Sequence, residues 1–83
     1  MPIYRGGMLV GAIGVSGDGI DQDDMVAFLG AHNAGLTLGG AIGNAPLGIR
    51  GDTVNVGGGQ LRYVSCPVAP FLDSGEQTPC AGK

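Results

Sequence analysis

Four aspartates lie within a stretch of seven residues and form the densest group of chemically active side chains in the sequence. They are Asp18, Asp21, Asp23 and Asp24. Clustered carboxylates on a flexible loop can hold a hard cation such as Ca²⁺, and Asp18, Asp21 and Asp23 are the candidate ligands. The EF-hand pattern is not met, because the twelfth position counted from Asp18 is Leu29. The alternative is that these acids cap and stabilise the start of a helix.

The glycine-rich segment at residues 14–19 invites a comparison with phosphate-binding turns, which present backbone N–H groups at a helix start. Its glycines complete neither the G-x-G-x-x-G nor the Walker spacing, and no lysine is nearby. The neighbouring aspartates would also repel an anion. A phosphate site is therefore disfavoured.

One histidine and one methionine are candidate ligands for a cofactor or a metal ion. Met25, Leu29 and His32 recur at helical spacing, so they share one stripe of a predicted helix. The sequence has no second histidine and no zinc-type ligand spacing, and one imidazole alone is a weak signal. The alternative is a histidine at the edge of a packed helix face.

The two cysteines, Cys66 and Cys80, bracket a proline-punctuated tail. A disulfide between them would close a loop of about fifteen residues and stabilise the chain by about 3 kcal/mol in the chain-entropy model. The even count and the absence of C-x-x-C spacing favour a bridge over a zinc site. Two free thiols and a redox role are the alternatives. A bridge predicts an oxidising compartment, so we expect a periplasmic or secreted protein.

No catalytic constellation is visible in the sequence. Ser16 lies in a Gly-Val-Ser-Gly stretch that is one residue short of a nucleophile elbow. His32 has no acid partner in a recognisable context, and Cys66 precedes a proline without a neighbouring base. The residues therefore leave open whether the chain is an enzyme.

Composition limits the chain to one small domain with little core. It has 83 residues, of which 18 are glycine and none is tryptophan. A chain of this length buries only roughly 60–65% of its unfolded surface, and glycine loses the most backbone freedom on folding. The net charge of −3 and the scattered bases predict no nucleic-acid surface, and no stretch approaches the ~20 apolar residues of a membrane span. We therefore expect a partner chain or a homo-oligomer.

The candidate residues are positioned by a predicted strand–turn–helix unit. Residues 2–4 predict a strand, residues 5–7 a hairpin turn, and the apolar run at residues 8–15 a strand buried on both faces. The acids then begin a helix that runs from about residue 21 to about residue 33, with Gly35 as a left-handed stop.

The rest of the chain predicts less regular structure. Residues 36–51 predict an extended loop with one short element. Residues 52–56 and 60–66 predict a β-hairpin that the glycines at 57–59 reverse. Prolines exclude a regular helix or a central strand from Cys66 onward.

The N-terminal unit resembles a known family. The matching features are Pro2-Ile3-Tyr4, the Gly6-Gly7 turn, the run Val-Gly-Ala-Ile-Gly-Val-Ser-Gly at residues 10–17 and the Gln22-Asp23 helix start. Residues 2–36 thereby resemble the C-terminal half of the GlcG/HbpS-type haem-binding family, which includes the C-terminal domain of the cobalamin adenosyltransferase PduO. The resemblance implies an α+β fold, with an antiparallel sheet and a helix packed on one face. A partner chain or oligomer is expected to complete it.

The resemblance divides the chain and leads to two functional hypotheses. Residues 1–36 are expected to be the C-terminal half of a GlcG/HbpS-like domain, and residues 37–83 an extension of loop, β-hairpin and tail. The first hypothesis is an accessory or structural subunit of an exported multi-chain assembly. The second is a haem-binding module that senses or degrades haem at a subunit interface, with His32 and Met25 as candidate ligands. The family's haem-contacting residues lie largely in the half without a counterpart here, so none is carried over.

Overall fold

The structure, a computed structural model, describes all 83 residues and has an α+β architecture. An antiparallel β-hairpin is followed by one helix, two short 3₁₀ turns, a second antiparallel hairpin and an irregular tail. The elements are β1 (Pro2–Arg5), β2 (Met8–Ala12), α1 (Ile20–Thr37), β3 (Asn55–Val56) and β4 (Gly59–Gln60).

Strands β1 and β2 form the predicted N-terminal hairpin, and Gly6-Gly7 makes the turn between them. Gly6 has a positive φ of 59°, which glycine adopts without a steric penalty. The register shifts at Val10, which has no partner in β1, so β2 carries a β-bulge at this residue. A bulge bends its strand and increases the local twist.

The expectation that this second strand is buried on both faces is wrong. All five residues of β2 are exposed, including Met8 at 69%, Leu9 at 59% and Val10 at 46%. Strand β1 is the sole neighbour of β2 in the sheet. The apolar run indicated burial because apolar residues suit a strand that is covered on both faces. The residue types do not show whether the same chain supplies that cover.

Helix α1 begins close to the predicted residue but continues through Gly35, so the predicted stop at Gly35 is also wrong. The helix ends at Thr37, and two left-handed glycines follow, Gly39 at φ 68° and Gly40 at φ 85°. The Gly40 amide donates to the Gly35 carbonyl oxygen at 2.7 Å, which satisfies one of the free carbonyls at the helix end. The stop signal is therefore the later glycine pair.

The helix packs mainly on residues 42–65. Phe28 is fully buried, and its ring meets the Tyr63 ring edge-on with centroids 6.2 Å apart. The Asn44 amide donates to the Phe28 carbonyl oxygen at 3.3 Å. The expected packing of the helix on a face of the first sheet is thus corrected, since both faces of β2 are exposed. The buried apolar residues are Met25, Ala27, Phe28, Ala31 and Ala45.

The chain that follows the helix passes directly over Gly35. A Cβ at this position would overlap the Ile42 carbonyl oxygen, so only glycine permits the approach. One residue later the chain reaches β1, where Tyr4 and Gly43 exchange two backbone hydrogen bonds of 2.9 Å. This approach links the segment after the helix to both the helix and the first hairpin.

The second predicted hairpin is present but shorter than expected. Strands β3 and β4 pair over two residues each, and Gly57-Gly58 reverses the chain at φ values of 58° and 84°. Residues 61–66 continue without strand structure. Two 3₁₀ turns, Leu47–Ile49 and Gly51–Thr53, stand in place of the single short element predicted before the hairpin.

The tail is irregular, as its prolines predicted, and Cys66 and Cys80 form the predicted disulfide with their Cα atoms 6.3 Å apart. Pro79, beside the second cysteine, is among the most completely buried residues of the chain. No helix of the structure combines the length and the apolar character that crossing a bilayer requires.

Replacing Gly35 with alanine should destabilise the protein by about 1–3 kcal/mol, because the added methyl group must displace the Ile42 carbonyl. Gly30→Ala is the matched control, since Gly30 lies on the same helix with open space around it. Because alanine has a higher helix propensity than glycine, Gly30→Ala should stabilise the protein by up to about 1 kcal/mol. Thermal unfolding followed by circular dichroism compares the variants. Equal stability of the two would contradict the close approach.

Candidate functional site

Arg50 is the one buried charged residue of the chain, at 8% exposure. Its guanidinium forms a bidentate pair with Asp52: Nε donates to Oδ1 at 3.0 Å and Nη2 donates to Oδ2 at 2.7 Å. The remaining terminal nitrogen, Nη1, donates to the main-chain oxygen of Lys83 at 3.1 Å. Paired, charge-assisted hydrogen bonds of this kind are geometrically specific, so the cation is held in one orientation.

The same guanidinium lies against two aromatic rings. Its Cζ atom is 4.7 Å from the centroid of Tyr63 and 5.7 Å from that of Phe28, both within the range of cation–π attraction. Tyr63 is itself fixed, because its hydroxyl oxygen accepts a hydrogen bond of 3.0 Å from the Ala45 amide. Arginine suits this position since its planar cation can stack and donate in its plane at once. One side chain therefore joins the helix, Tyr63 and the tail.

The ion pair lowers the pKa of Asp52 below its ordinary value. The hydrogen bonds from Arg50 are the largest cause; the positive charge of Arg50 acts in the same direction, and burial opposes both. Asp52 therefore stays ionised across neutral and mildly acidic pH. The buried cation is neutralised by its own chain.

Two cavities adjoin this pair. The first, of about 350 Å³, is lined by Phe28, Tyr63, the disulfide and part of the β4 region; the second, of about 460 Å³, is lined by Leu47 and the end of the tail. Arg50 and Asp52 line both. Because these two groups direct their strongest hydrogen bonds at each other, the buried charge of the cavities is already matched. The lining gives no signal for a particular ligand.

Among the predicted cation-binding aspartates, Asp23 makes hydrogen bonds within its own turn. The Asp23 carboxylate accepts hydrogen bonds from the backbone amides of Gly17, at 3.3 Å, and Asp18, at 3.0 Å. It thereby closes the turn before α1, while Asp21 is exposed in the first helical turn. No three His, Cys, Asp or Glu side chains come close enough together to hold a metal ion. The cation site at Asp18, Asp21 and Asp23 stays a prediction.

Asp24 has a role that the sequence did not indicate. Its Oδ2 atom accepts a hydrogen bond of 2.8 Å from the backbone amide of Ser65, which is 41 residues away along the chain. The contact fastens the start of the helix to the segment that leads into the disulfide. No local pattern encodes a pairing over such a separation.

The two candidate haem ligands both lie on α1. Met25 is buried at 5% exposure, so its thioether is part of the core, whereas His32 is half-buried. Seven residues of a helix advance by about 10.5 Å along its axis, which places both side chains along one stripe of α1. His32 and Met25 both stay predicted ligands.

The other candidate site is the open side of the first hairpin. We use the term β2 edge for the outward-facing backbone groups of Met8–Ala12. The outer side of β1 is partly occupied by Gly43, but β2 has no second neighbour. A side chain added at Gly7 or Gly11 would meet no atom within 4 Å. An apolar strand with an open edge is a template for pairing with another strand.

Comparison with known proteins found no family model, no curated protein and no solved structure that matches the chain. The likeness to the GlcG/HbpS-type family accordingly depends on the motif at residues 2–36.

The stabilisation that the Arg50–Asp52 pair provides should be lost in acid. Because the folded-state pKa of Asp52 is lowered, the contribution is fully present above the unfolded pKa of about 3.9 and is lost as the pH falls through the folded pKa. Asp52→Asn should therefore cost about 1–3 kcal/mol at neutral pH, and this cost should shrink as the pH falls through the folded-state pKa of Asp52, because the parent then also carries a neutral group.

Thermal unfolding by circular dichroism from pH 7 down to pH 2 measures this difference. Asp73→Asn is the control, since Asp73 is exposed and its left-handed backbone conformation suits asparagine. A stability difference between Asp52→Asn and the parent that does not change with pH would contradict the ion-pair assignment.

Proposed function

We propose that the chain is an accessory or structural subunit of a multi-chain assembly, to which it contributes the β1–β2 hairpin. The observation that carries the proposal is the exposure of all five residues of β2 on a strand with one open edge. Met8, Leu9 and Val10 have no charged neighbour within their strand. A strand of this type is stable in water when another chain covers it.

The balance of buried and exposed apolar residues supports the same proposal. Eight residues of the chain are buried, whereas fifteen large apolar side chains are exposed. Single exposed apolar residues are normal, but a small core beside an extended apolar strand indicates a surface that another molecule covers.

The disulfide supports an exported assembly, either periplasmic or secreted, because such bridges persist in oxidising compartments. The resemblance of residues 2–36 to one half of the GlcG/HbpS-type domain also favours a fold that is completed by a second chain. In this proposal the hairpin serves assembly, and the Arg50 cluster, which consists of Arg50, Asp52, Phe28 and Tyr63, keeps the remainder of the chain folded.

A lysine in place of Val10, in strand β2, should release the chain from its assembly. Under non-denaturing conditions, we expect the parent protein to have a mass above the 8.2 kDa of one chain. Val10→Lys should return the mass to that of one chain, because burying a charge in a strand interface is costly. Val26→Lys is the matched control, since Val26 is exposed on the helix at 53%.

Native mass spectrometry measures all three proteins. A parent chain that stays at 8.2 kDa, cooperatively folded and unaffected by Val10→Lys, would overturn the proposal.

Haem binding is the alternative hypothesis, and a haemin titration followed at the Soret band tests it. If the chain serves assembly and does not bind haem through His32, we expect no saturable Soret shift, or a shift that His32→Ala leaves unchanged. A saturable Soret shift that His32→Ala abolishes would establish the haem-binding alternative. Asn33→Ala, at an exposed neighbouring position of the same helix, is the control for general effects on the helix.

A further inference from the structure

We propose that the Cys66–Cys80 disulfide is a redox-controlled latch, which holds residues 67–83 against the Arg50 cluster until a dithiol reductant opens it. We use the term closing segment for residues 67–83 and the term body for residues 1–65. The disulfide fastens the closing segment at Cys80, next to the residues that lie against Arg50. How the β2 edge is covered has no bearing on this latch.

Apart from the disulfide, few contacts attach the closing segment to the body. A single hydrogen bond joins them, in which Arg50 Nη1 donates to the Lys83 main-chain oxygen at 3.1 Å. The other hydrogen bonds of the closing segment are internal, such as the one that the Ala69 amide donates to the Gln77 carbonyl oxygen at 2.7 Å. Its one buried residue is Pro79, which has no amide hydrogen to donate. The position of the closing segment therefore depends mainly on the disulfide, which restricts the freedom of the loop that it closes.

The contacts that organise the body lie entirely within the body. They include the paired hydrogen bonds between Arg50 and Asp52 and the burial of the Phe28 ring. The Asp24 carboxylate also fastens Ser65, the last residue of the body, to the start of α1. Opening the disulfide therefore releases the closing segment and leaves the body folded, which is a local unfolding step.

The two sulfur-bearing residues are accessible, and their separation changes what surrounds Arg50. Both cysteines are half-buried and line the first cavity, and Cys80 lines the second as well. Residues 80–83 line the second cavity together with Leu47 and the ion pair. When these residues leave, the cavity loses part of its wall and Arg50 Nη1 loses its acceptor. The open state therefore exposes a charged donor that the closed state covers.

Opening is a thiol–disulfide exchange with a dithiol reductant. One thiolate of the reductant attacks a sulfur of the bridge, forms a mixed disulfide and releases the other cysteine as a thiolate, which takes up a proton. The second thiol of the reductant loses its proton, attacks the mixed disulfide and releases the remaining cysteine, which is protonated in turn. Two electrons and two protons thus pass from the reductant to Cys66 and Cys80, and the reductant becomes a disulfide. An oxidising compartment restores the closed state.

Amide hydrogen exchange of the full chain, measured by mass spectrometry before and after treatment with dithiothreitol, tests the latch. In the reduced chain, the hydrogen-bonded amides of Ala69 and Ala81 should exchange roughly tenfold faster or more, because the loop that positions them is no longer closed. The amides of α1 should exchange at unchanged rates, and circular dichroism should retain the helix signal. Reoxidation should restore the protection.

Cys66→Ser/Cys80→Ser gives the open state without a reductant and is the matched control, since dithiothreitol should not change its exchange. In this variant, phenylglyoxal should modify Arg50 roughly tenfold faster than in the oxidised parent, because the closing segment no longer covers the guanidinium. Arg5 is exposed in both proteins and is the internal standard for this reaction.

Three results would overturn the latch. The first is a disulfide that dithiothreitol does not reduce in the folded chain. The second is a reduced chain in which the closing segment keeps its protection and Arg50 stays unreactive, because the disulfide would then not control that segment. The third is loss of the helix signal on reduction, since the disulfide would then stabilise the whole chain. None of these results changes the expected effect of Val10→Lys, so the proposed assembly function is tested separately.

Discussion

The Arg50 guanidinium holds together parts of the chain that apolar burial alone would join only weakly. It pairs with Asp52, lies against the rings of Phe28 and Tyr63, and donates to the main chain of Lys83. Removing one partner of a buried ion pair leaves an uncompensated charge, so such a cluster is costly to break even where its net contribution to stability is small. In a chain with eight buried residues, this cluster fixes how the second half folds onto the helix.

The position of this cluster explains why the first hairpin is left open. Helix α1 turns its buried residues toward the segment that contains Tyr63 and Arg50, and the close approach at Gly35 commits the following chain to the same side. Strand β2 consequently has neither a helix over it nor a second strand beside it. The helix is packed by residues of its own chain, whereas one edge of the first sheet stays open, and this open edge is the basis of the proposed assembly function.

Local signals in the sequence predicted the first hairpin, the start of the helix, the glycine reversal at residues 57–58 and the disulfide. Each depends on residues that are close in sequence or, for the cysteines, on a pair with no competing partner. The helix end was misplaced because three glycines compete within six residues and a local pattern cannot show that Gly35 is needed for packing against Ile42. The Arg50 cluster and the Asp24–Ser65 contact were missed because they join distant segments. The burial of β2 on both faces was wrongly predicted from its apolar residues, since burial depends on what surrounds a strand.

Amide hydrogen exchange of β2 as a function of protein concentration tests the central claim most directly. The exposed strand should exchange rapidly in dilute solution, and its outward-facing amides should become protected only as the chains associate. A dilute, cooperatively folded monomer whose β2 amides are already protected would contradict the account, because the strand would then need no other chain to cover it.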